Sequence, residues 1–244
     1  MPRTLSVLVP LRVLEGETVS PGTVDLLAAH RVVLLGYHEL PEQTPPEQAR
    51  DQFEAQAQQK LDAVVEAFEA AGADPETRIV FTHDAEQTID RVADETDCPA
   101  FLIPNPSAEV TDVLVAVAPA VDVANVVEVS APLLAGADVD VTVFATAASE
   151  EDRAASEDLV ASTREALESA GVPADRVDGA VEVTTAPVRA TAEAGARHDL
   201  VVMGERAPSL RSVVFGEDPD QVAELSVGPV LVVRRLPDAE TGAE

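Results

Sequence analysis

The segment from residue 199 to residue 235 constrains the fold of this chain most. It contains two short apolar runs, at residues 200–203 and 230–233, and both are rich in β-branched residues. Continuous apolarity over so few residues is typical of strands that are covered on both faces, as in parallel sheets. Between the runs, Asp218 and Pro219 form a helix start, with Asp as the N-cap and Pro at the first helical position. The segment therefore predicts a strand, a loop, a helix and a second strand.

The rest of the second half alternates between predicted strands and helices. Strands are predicted at residues 113–117, 139–145 and 177–184. Apolar residues at helical spacing predict helices at residues 125–136, from Ser149 to Gly171, and at 187–197. Together with the closing segment, this half forms one parallel unit of five strands under the right-handed crossover rule.

The first half repeats the beginning of this plan. Strands are predicted at residues 5–9, 32–38, 78–82 and 99–104, and helices at 24–30, 46–71 and 85–96. This half lacks the glycine-bounded loop and about one strand–helix pair. We interpret the chain as an internal duplication with a shortened first copy. The alternative is that the two halves are similar only because all α/β folds alternate strands and helices in this way.

The closing segment resembles the C-terminal part of the universal stress protein family. That family has a glycine loop between its last two strands, and Gly204, Arg206 and Gly216 match it, as does the strand that begins at Gly228. The resemblance covers most of the chain as a tandem pair. It implies two tandem doubly wound parallel-sheet units, Rossmann-like and similar to the adenine nucleotide alpha hydrolases, packed as an intrachain pseudo-dimer. The expected boundaries are 1–107 for the shortened unit, 108–236 for the complete unit and 237–244 for a disordered acidic tail.

Two departures from the family pattern bear on nucleotide binding. In ATP-binding members a hydroxyl and a helix N-terminus hold phosphate, but here Glu217 replaces the hydroxyl residue and Asp218 follows it. Carboxylates repel phosphate, and an Asp N-cap occupies the N–H groups that phosphate needs. The family's nucleotide-binding members also carry an Asp just after the first strand, where this chain has Arg12 in one copy and Ala118 in the other.

The positions that match the family's nucleotide site are therefore Gly204, Arg206, Gly216 and Glu217. With the altered residues in place, the resemblance implies no bound cofactor. ATP or AMP is the alternative.

The composition limits the partners of the protein. Asp and Glu number 45 against 16 Lys and Arg, which gives a formal charge of −29. This composition resembles that of cytosolic proteins from extreme halophiles, and an ordinary acidic protein is the alternative. The negative field disfavours DNA, RNA and anionic membranes as partners. Cys98, which is the single cysteine, fits a reducing cytosol and favours packing over reaction.

Other candidate sites carry weaker signals. The chain has four histidines without metal-ligand spacing: His30, His38, His83 and His198. The sequence contains no nucleophile-elbow, zinc-protease or P-loop motif, so we predict no catalytic and no metal site. His83 beside Asp84 is open to two interpretations, an acid–base pair or ordinary turn chemistry.

We therefore expect a non-catalytic stress or regulatory protein that acts through contacts with a protein partner or a second copy. The edge of its last strand, at residues 227–235, could pair between two chains. Two alternatives stay open: a nucleotide-binding stress protein with an altered phosphate loop, and an enzyme of the wider nucleotide α-hydrolase-like group. Because the chain has no signal-like start and no apolar run of about 18 residues, we expect a soluble, cytoplasmic protein.

Overall fold

The computed structural model describes residues 5–105, 109–205 and 228–235. The strands of these residues are β1 (Ser6–Arg12), β2 (Arg31–Glu39), β3 (Glu76–Thr82), β4 (Ala100–Ile103), β5 (Asp112–Ala116), β6 (Asp140–Ala147), β7 (Val177–Val183), β8 (Leu200–Gly204) and β9 (Val230–Val233). The helices are α1 (Pro21–Leu27), α2 (Pro46–Ala70), α3 (Ala85–Glu95), α4 (Val123–Gly136), α5 (Arg153–Ser169) and α6 (Pro187–Gly195). No helix of these residues is long and apolar enough to cross a bilayer.

The described strands form one nine-stranded sheet with the order β3-β2-β1-β4-β9-β8-β5-β6-β7. The first half contributes β1 to β4 and the second half contributes β5 to β9. Neighbouring strands within each half are parallel, as the continuous apolar runs predict. The two halves meet where β4 and β9 pair in antiparallel orientation.

Strand β9 is bonded along both of its edges. It lies parallel to β8, with Val202 opposite Leu231, and antiparallel to β4, with Phe101 opposite Val232. The prediction that the edge of this last strand pairs between two chains is therefore wrong. In the first half, β4 pairs with β1 along one edge. Its other edge is occupied by β9 of the same chain.

The two faces of the sheet are covered by different helices. One core contains Leu61 of α2, Leu133 of α4 and Leu167 of α5. The other core contains Ile89 of α3 and Ala192 of α6. Alternate strand residues enter opposite cores, which is the period of two that a β-strand imposes. The central strands β4, β8 and β9 are buried on both faces because helices lie on both, as expected for a parallel sheet, whereas the edge strands β3 and β7 are mostly half-buried or exposed.

The predicted elements agree with the observed ones to within a few residues at their ends, except at the start of α5. The sequence predicts a capping-box-like start at Ser149, but α5 begins at Arg153. The Ser149 hydroxyl accepts the N–H of Asp152 at 3.3 Å and forms a turn ahead of the helix. The predicted helix that starts at Asp218 lies outside the described residues.

Candidate functional site

A cleft of about 160 Å³ lies at the carboxyl ends of β8 and β9. It is lined by Ala120, Val121, Asp122, Asn125, Val126, Gly204, Glu205, Val233, Arg234 and Arg235. Ligands of open parallel sheets bind at the carboxyl ends of the strands, and the N-terminus of α4 also faces this position. The cleft is therefore the candidate site of the second half.

Gly204, the last residue of β8, is the one predicted site residue that lies within the described part of the chain. An added Cβ at Gly204 would lie 2.6 Å from Cγ1 of Val121 and 3.2 Å from Cγ2 of Val126. The glycine is thus required by the loop that packs over the strand end before α4. The other predicted positions, Arg206, Gly216 and Glu217, lie outside the described residues.

The N-terminus of α4 is capped by the protein itself. Asp122 is the N-cap, and its Oδ1 accepts the N–H of Asn125 at 3.1 Å. The side chain of Asn125 donates from Nδ2 to the backbone carbonyl of Arg234 at 2.8 Å. A carboxylate at a helix N-terminus complements the helix dipole and disfavours a second anion at the same place.

Glu205 joins the ends of β8 and β9. Its N–H donates to the carbonyl of Val233 at 2.8 Å, and its carboxylate Oε2 accepts the N–H of Arg235 at 2.9 Å. The backbone N–H that an anion could use at the end of β9 is therefore bonded to a carboxylate. Glu205 and Asp122 place negative charge on two walls of the cleft.

The positions that correspond to the family's nucleoside-binding Asp hold other contacts. Ala118 is partly buried against the core of the second half. In the first half, Arg12 donates its backbone N–H to Oε2 of Glu17 at 2.6 Å, and its guanidinium lies 3.4 Å from Oε1 of the same residue. Burial opposes the charge on Arg12, but its interactions with Glu17, Tyr37 and Glu15 together outweigh burial and raise the pKa of Arg12.

His83 and Asp84, outside the cleft, have structural contacts. His83 Nδ1 lies 3.2 Å from the carbonyl of Leu40, and Asp84 caps α3 by accepting the N–H of Gln87 at 2.9 Å. These contacts favour the turn interpretation of this pair. No group of three or more His, Cys, Asp or Glu residues suited to a metal ion occurs in the part of the chain that the structure describes.

Cys98 is buried, which confirms that it packs in the core. Burial raises the pKa of its thiol, and the hydroxyl of Thr96 lies 3.3 Å from its sulfur. A raised pKa lowers the thiolate fraction and with it the reactivity of the group.

Sequence reasoning missed the cleft residues Asn125, Glu205, Arg234 and Arg235. Asn125 follows Asp122 by three residues, which is the spacing between an N-cap and the N–H that donates to it, so the local bond could have been predicted. The contact of Asn125 with Arg234 spans 109 residues of sequence and has no local signal.

The sequence matches no protein-family profile, and it matches no curated protein. The structure does have neighbours. A universal stress protein from Archaeoglobus fulgidus DSM 4304 is similar over 96% of this chain and 97% of its own, with a TM-score of 0.64 and 16% identity. The cytoplasmic domain of a prokaryotic cation chloride cotransporter is similar over 94% and 95%, with a TM-score of 0.50 and 14% identity. At these identities the likeness shows the fold, and it confirms the predicted Rossmann-like fold of the universal stress proteins.

Proposed function

We propose that this chain is a universal-stress-type regulatory protein that acts through protein contacts, without catalysis and without effective ATP binding. The observation that carries the proposal is that polar groups of the cleft bond to one another. Asp122 accepts the N–H of Asn125, Asn125 donates to Arg234, and Glu205 accepts the N–H of Arg235. A nucleotide would have to displace these bonds before it could form its own.

The size of the cleft supports the same conclusion. Pockets for small molecules and cofactors usually measure about 300–1,000 Å³, and they bury most of the ligand surface. The cleft formed here by the described residues measures about 160 Å³. The described walls of the cleft alone therefore do not enclose a nucleotide.

Charge adds a second barrier to a triphosphate. Asp122 and Glu205 line the cleft, and the chain carries a formal charge of −29. The negative field lowers the local concentration of anions and disfavours their approach. Glu217 and Asp218, at the sequence positions where family members hold phosphate, add further carboxylates to this part of the chain.

Contact with proteins is the function that this fold supports when the cleft is closed to nucleotides. The cotransporter neighbour is the cytoplasmic domain of a larger protein and has the same fold over nearly its whole length. A fold that serves as one domain beside others fits a role in regulation by contact. The partner would be another protein or a second copy of this chain.

Isothermal titration calorimetry with ATP and with AMP tests the absence of nucleotide binding. Measurements belong in molar KCl, because the acidic composition resembles that of halophile proteins and salt at this concentration screens self-repulsion. We expect no heat of binding at millimolar ligand. A micromolar dissociation constant for either nucleotide would overturn the proposal.

A double variant supplies the positive control. Glu217→Ser with Ala118→Asp places the family's binding residues at both altered positions, and we expect it to bind nucleotide more tightly than the natural chain. The absence of hydrolysis or adenylation products after incubation with ATP tests the non-catalytic part of the proposal separately.

A nucleotide-binding stress protein with altered recognition is the second candidate. Arg235 and the Asn125 side chain line the cleft and supply groups that hydrogen-bond phosphate or ribose. A monophosphate carries less negative charge than a triphosphate and meets less repulsion from Asp122 and Glu205. Binding of AMP without binding of ATP would favour this candidate.

A further inference from the structure

Arg234 contacts both halves of the chain through its backbone. It follows directly after β9, the strand that both halves share. Its N–H donates to the carbonyl of Pro99 in the first half at 2.9 Å. Its carbonyl accepts the side-chain N–H of Asn125, in the first turn of α4 of the second half, at 2.8 Å. The backbone of Arg234 therefore bonds the end of β9 to both halves of the chain.

The side chain of Arg234 extends to helix α3 of the first half. Nη1 lies 2.8 Å from Oδ1 of Asp94, and Nη2 donates to the carbonyl of Asp90 at 3.3 Å. The Arg234 side chain is 15% exposed and that of Asp94 is 69% exposed. The Nε of Arg234 is buried and has no hydrogen-bond partner among the described residues. A cation this buried depends on its remaining partners, so loss of the Asp94 carboxylate is costly.

Helix α3 also gains from this contact at its C-terminus. Its last turn contains no basic residue of its own. A cation near the last carbonyl groups of a helix stabilises it through the helix dipole. Arg31 of the first half donates to the carbonyl of Thr96 at this end of α3. Arg234, which belongs to the other half of the chain, supplies a second cation there.

We propose that Arg234 is a coupling residue that links the cleft of the second half to helix α3 of the first half. A group that displaces the end of β9 at the cleft loosens α3, and a change at α3 alters the cleft in turn. The chain of contacts is continuous, from Asn125 through Arg234 to Asp94. Such coupling is reciprocal by thermodynamic necessity. The proposal concerns the protein itself and does not depend on what occupies the cleft.

Hydrogen exchange of the full chain tests the coupling in one direction. Asn125→Ala removes the bond to Arg234, and the amides of Thr96 and Cys98, which are bonded at the end of α3, report the effect. We expect their exchange to rise about threefold or more relative to amides of α2. The control is Ser130→Ala, which removes a bond within α4 that does not involve Arg234. An unchanged rate in Asn125→Ala, or an equal rise in the control, would overturn the proposal.

The reverse direction starts from the exposed residue Asp94, so the variant is expected to fold. Asp94→Asn should raise exchange in the first turn of α4, whereas Glu95→Gln, which removes the same charge from the same turn of α3, should not. Glu95 pairs with Arg91 on its own helix. If both variants or neither variant changes α4, the link through Arg234 does not exist.

A double-mutant cycle measures the coupling directly. Asn125→Ala and Asp94→Asn should be non-additive by about threefold or more in the unfolding equilibrium constant, although no direct hydrogen bond or ion pair joins the two described side chains. In an Arg234→Gln background the same two changes should become additive. Additivity in the natural background, or non-additivity that persists in the Arg234→Gln background, would refute the role of this side chain.

Discussion

Substitution of Gly204 by alanine tests whether this glycine serves packing or ligand binding. The added Cβ would lie 2.6 Å from Cγ1 of Val121, which is closer than carbon atoms approach in folded proteins, and 3.2 Å from Cγ2 of Val126. Both valines are buried, so neither has room to move without disturbing its own contacts. The strand end, the preceding loop or the start of α4 must therefore shift.

The size of the effect follows from two opposing contributions. Insertion of a methyl group into a packed core costs about 1–3 kcal/mol. Replacement of glycine by alanine restricts the unfolded chain, which stabilises the folded state by about 0.4–1 kcal/mol. We expect Gly204→Ala to lower the free energy of unfolding by about 1–2 kcal/mol. A role confined to phosphate approach would leave stability unchanged or slightly increased.

Urea denaturation followed by circular dichroism measures this difference. Gly136→Ala is the matched control, because no atom lies within 4 Å of its added Cβ, and it should be neutral or stabilising by up to about 1 kcal/mol. Val121→Ala in the Gly204→Ala background should recover part of the loss, since it removes the clashing methyl groups. A Gly204→Ala protein as stable as the natural one would refute the packing explanation.

Two further predictions concern titratable groups. Burial opposes ionisation of Asp199, but bonds from the N–H groups of Thr111 and Asp112 and from the Thr111 hydroxyl outweigh it and lower the pKa of Asp199 below its ordinary 3.8. The stability that the ionised Asp199 contributes is therefore present above about pH 4 and is lost as the pH falls through the lowered pKa. Asp199→Asn should remove that part of the acid dependence of urea unfolding. If the variant and the natural protein lose stability identically with pH, the prediction is contradicted. Cys98 should react with a thiol reagent at the unfolded-state rate only after denaturation, and fast reaction of the native protein would contradict its burial.

The elements of the fold were predictable because each has a local signal. Residues 200–203 form a continuous β-branched run, and the structure has β8 at Leu200–Gly204. Residues 46–71 carry apolar side chains at helical spacing, and the structure has α2 at Pro46–Ala70. In both cases the apolar and polar residues of the element itself predict which of its side chains are buried. Only the first and last residues of each helix and strand had to be taken from the structure.

The pairing of β4 with β9 was not predictable in the same way. A buried apolar strand such as Ala100–Ile103 shows that both its faces are covered, but its composition does not identify the neighbour along its edge. Choice of a neighbour depends on which strands the rest of the chain leaves unpaired. The sequence predicted that the first half lacks a strand–helix pair, but it did not predict that β9 would occupy the free edge of β4.

The side-chain contacts of the candidate site were likewise not predictable from local sequence. Gly204 was recognised from the glycine pattern, yet its described contacts are with Val121 and Val126 from a distant part of the sequence. The pattern placed Gly204 among the positions that match the family's nucleotide site. In the structure, close packing against Val121 and Val126 also requires a glycine here. Spacing along the chain cannot distinguish that requirement from ligand approach.

One strand supports both of the features on which the functional proposals depend. Because β9 pairs with β8 and β4, its end fixes one wall of the second-half cleft and also the position from which Arg234 contacts α3. The two halves share this single element. The proposed coupling through Arg234 predicts that a disturbance on one side of β9 reaches the other side. This arrangement favours a protein that transmits contacts between its halves over one that encloses a nucleotide in either.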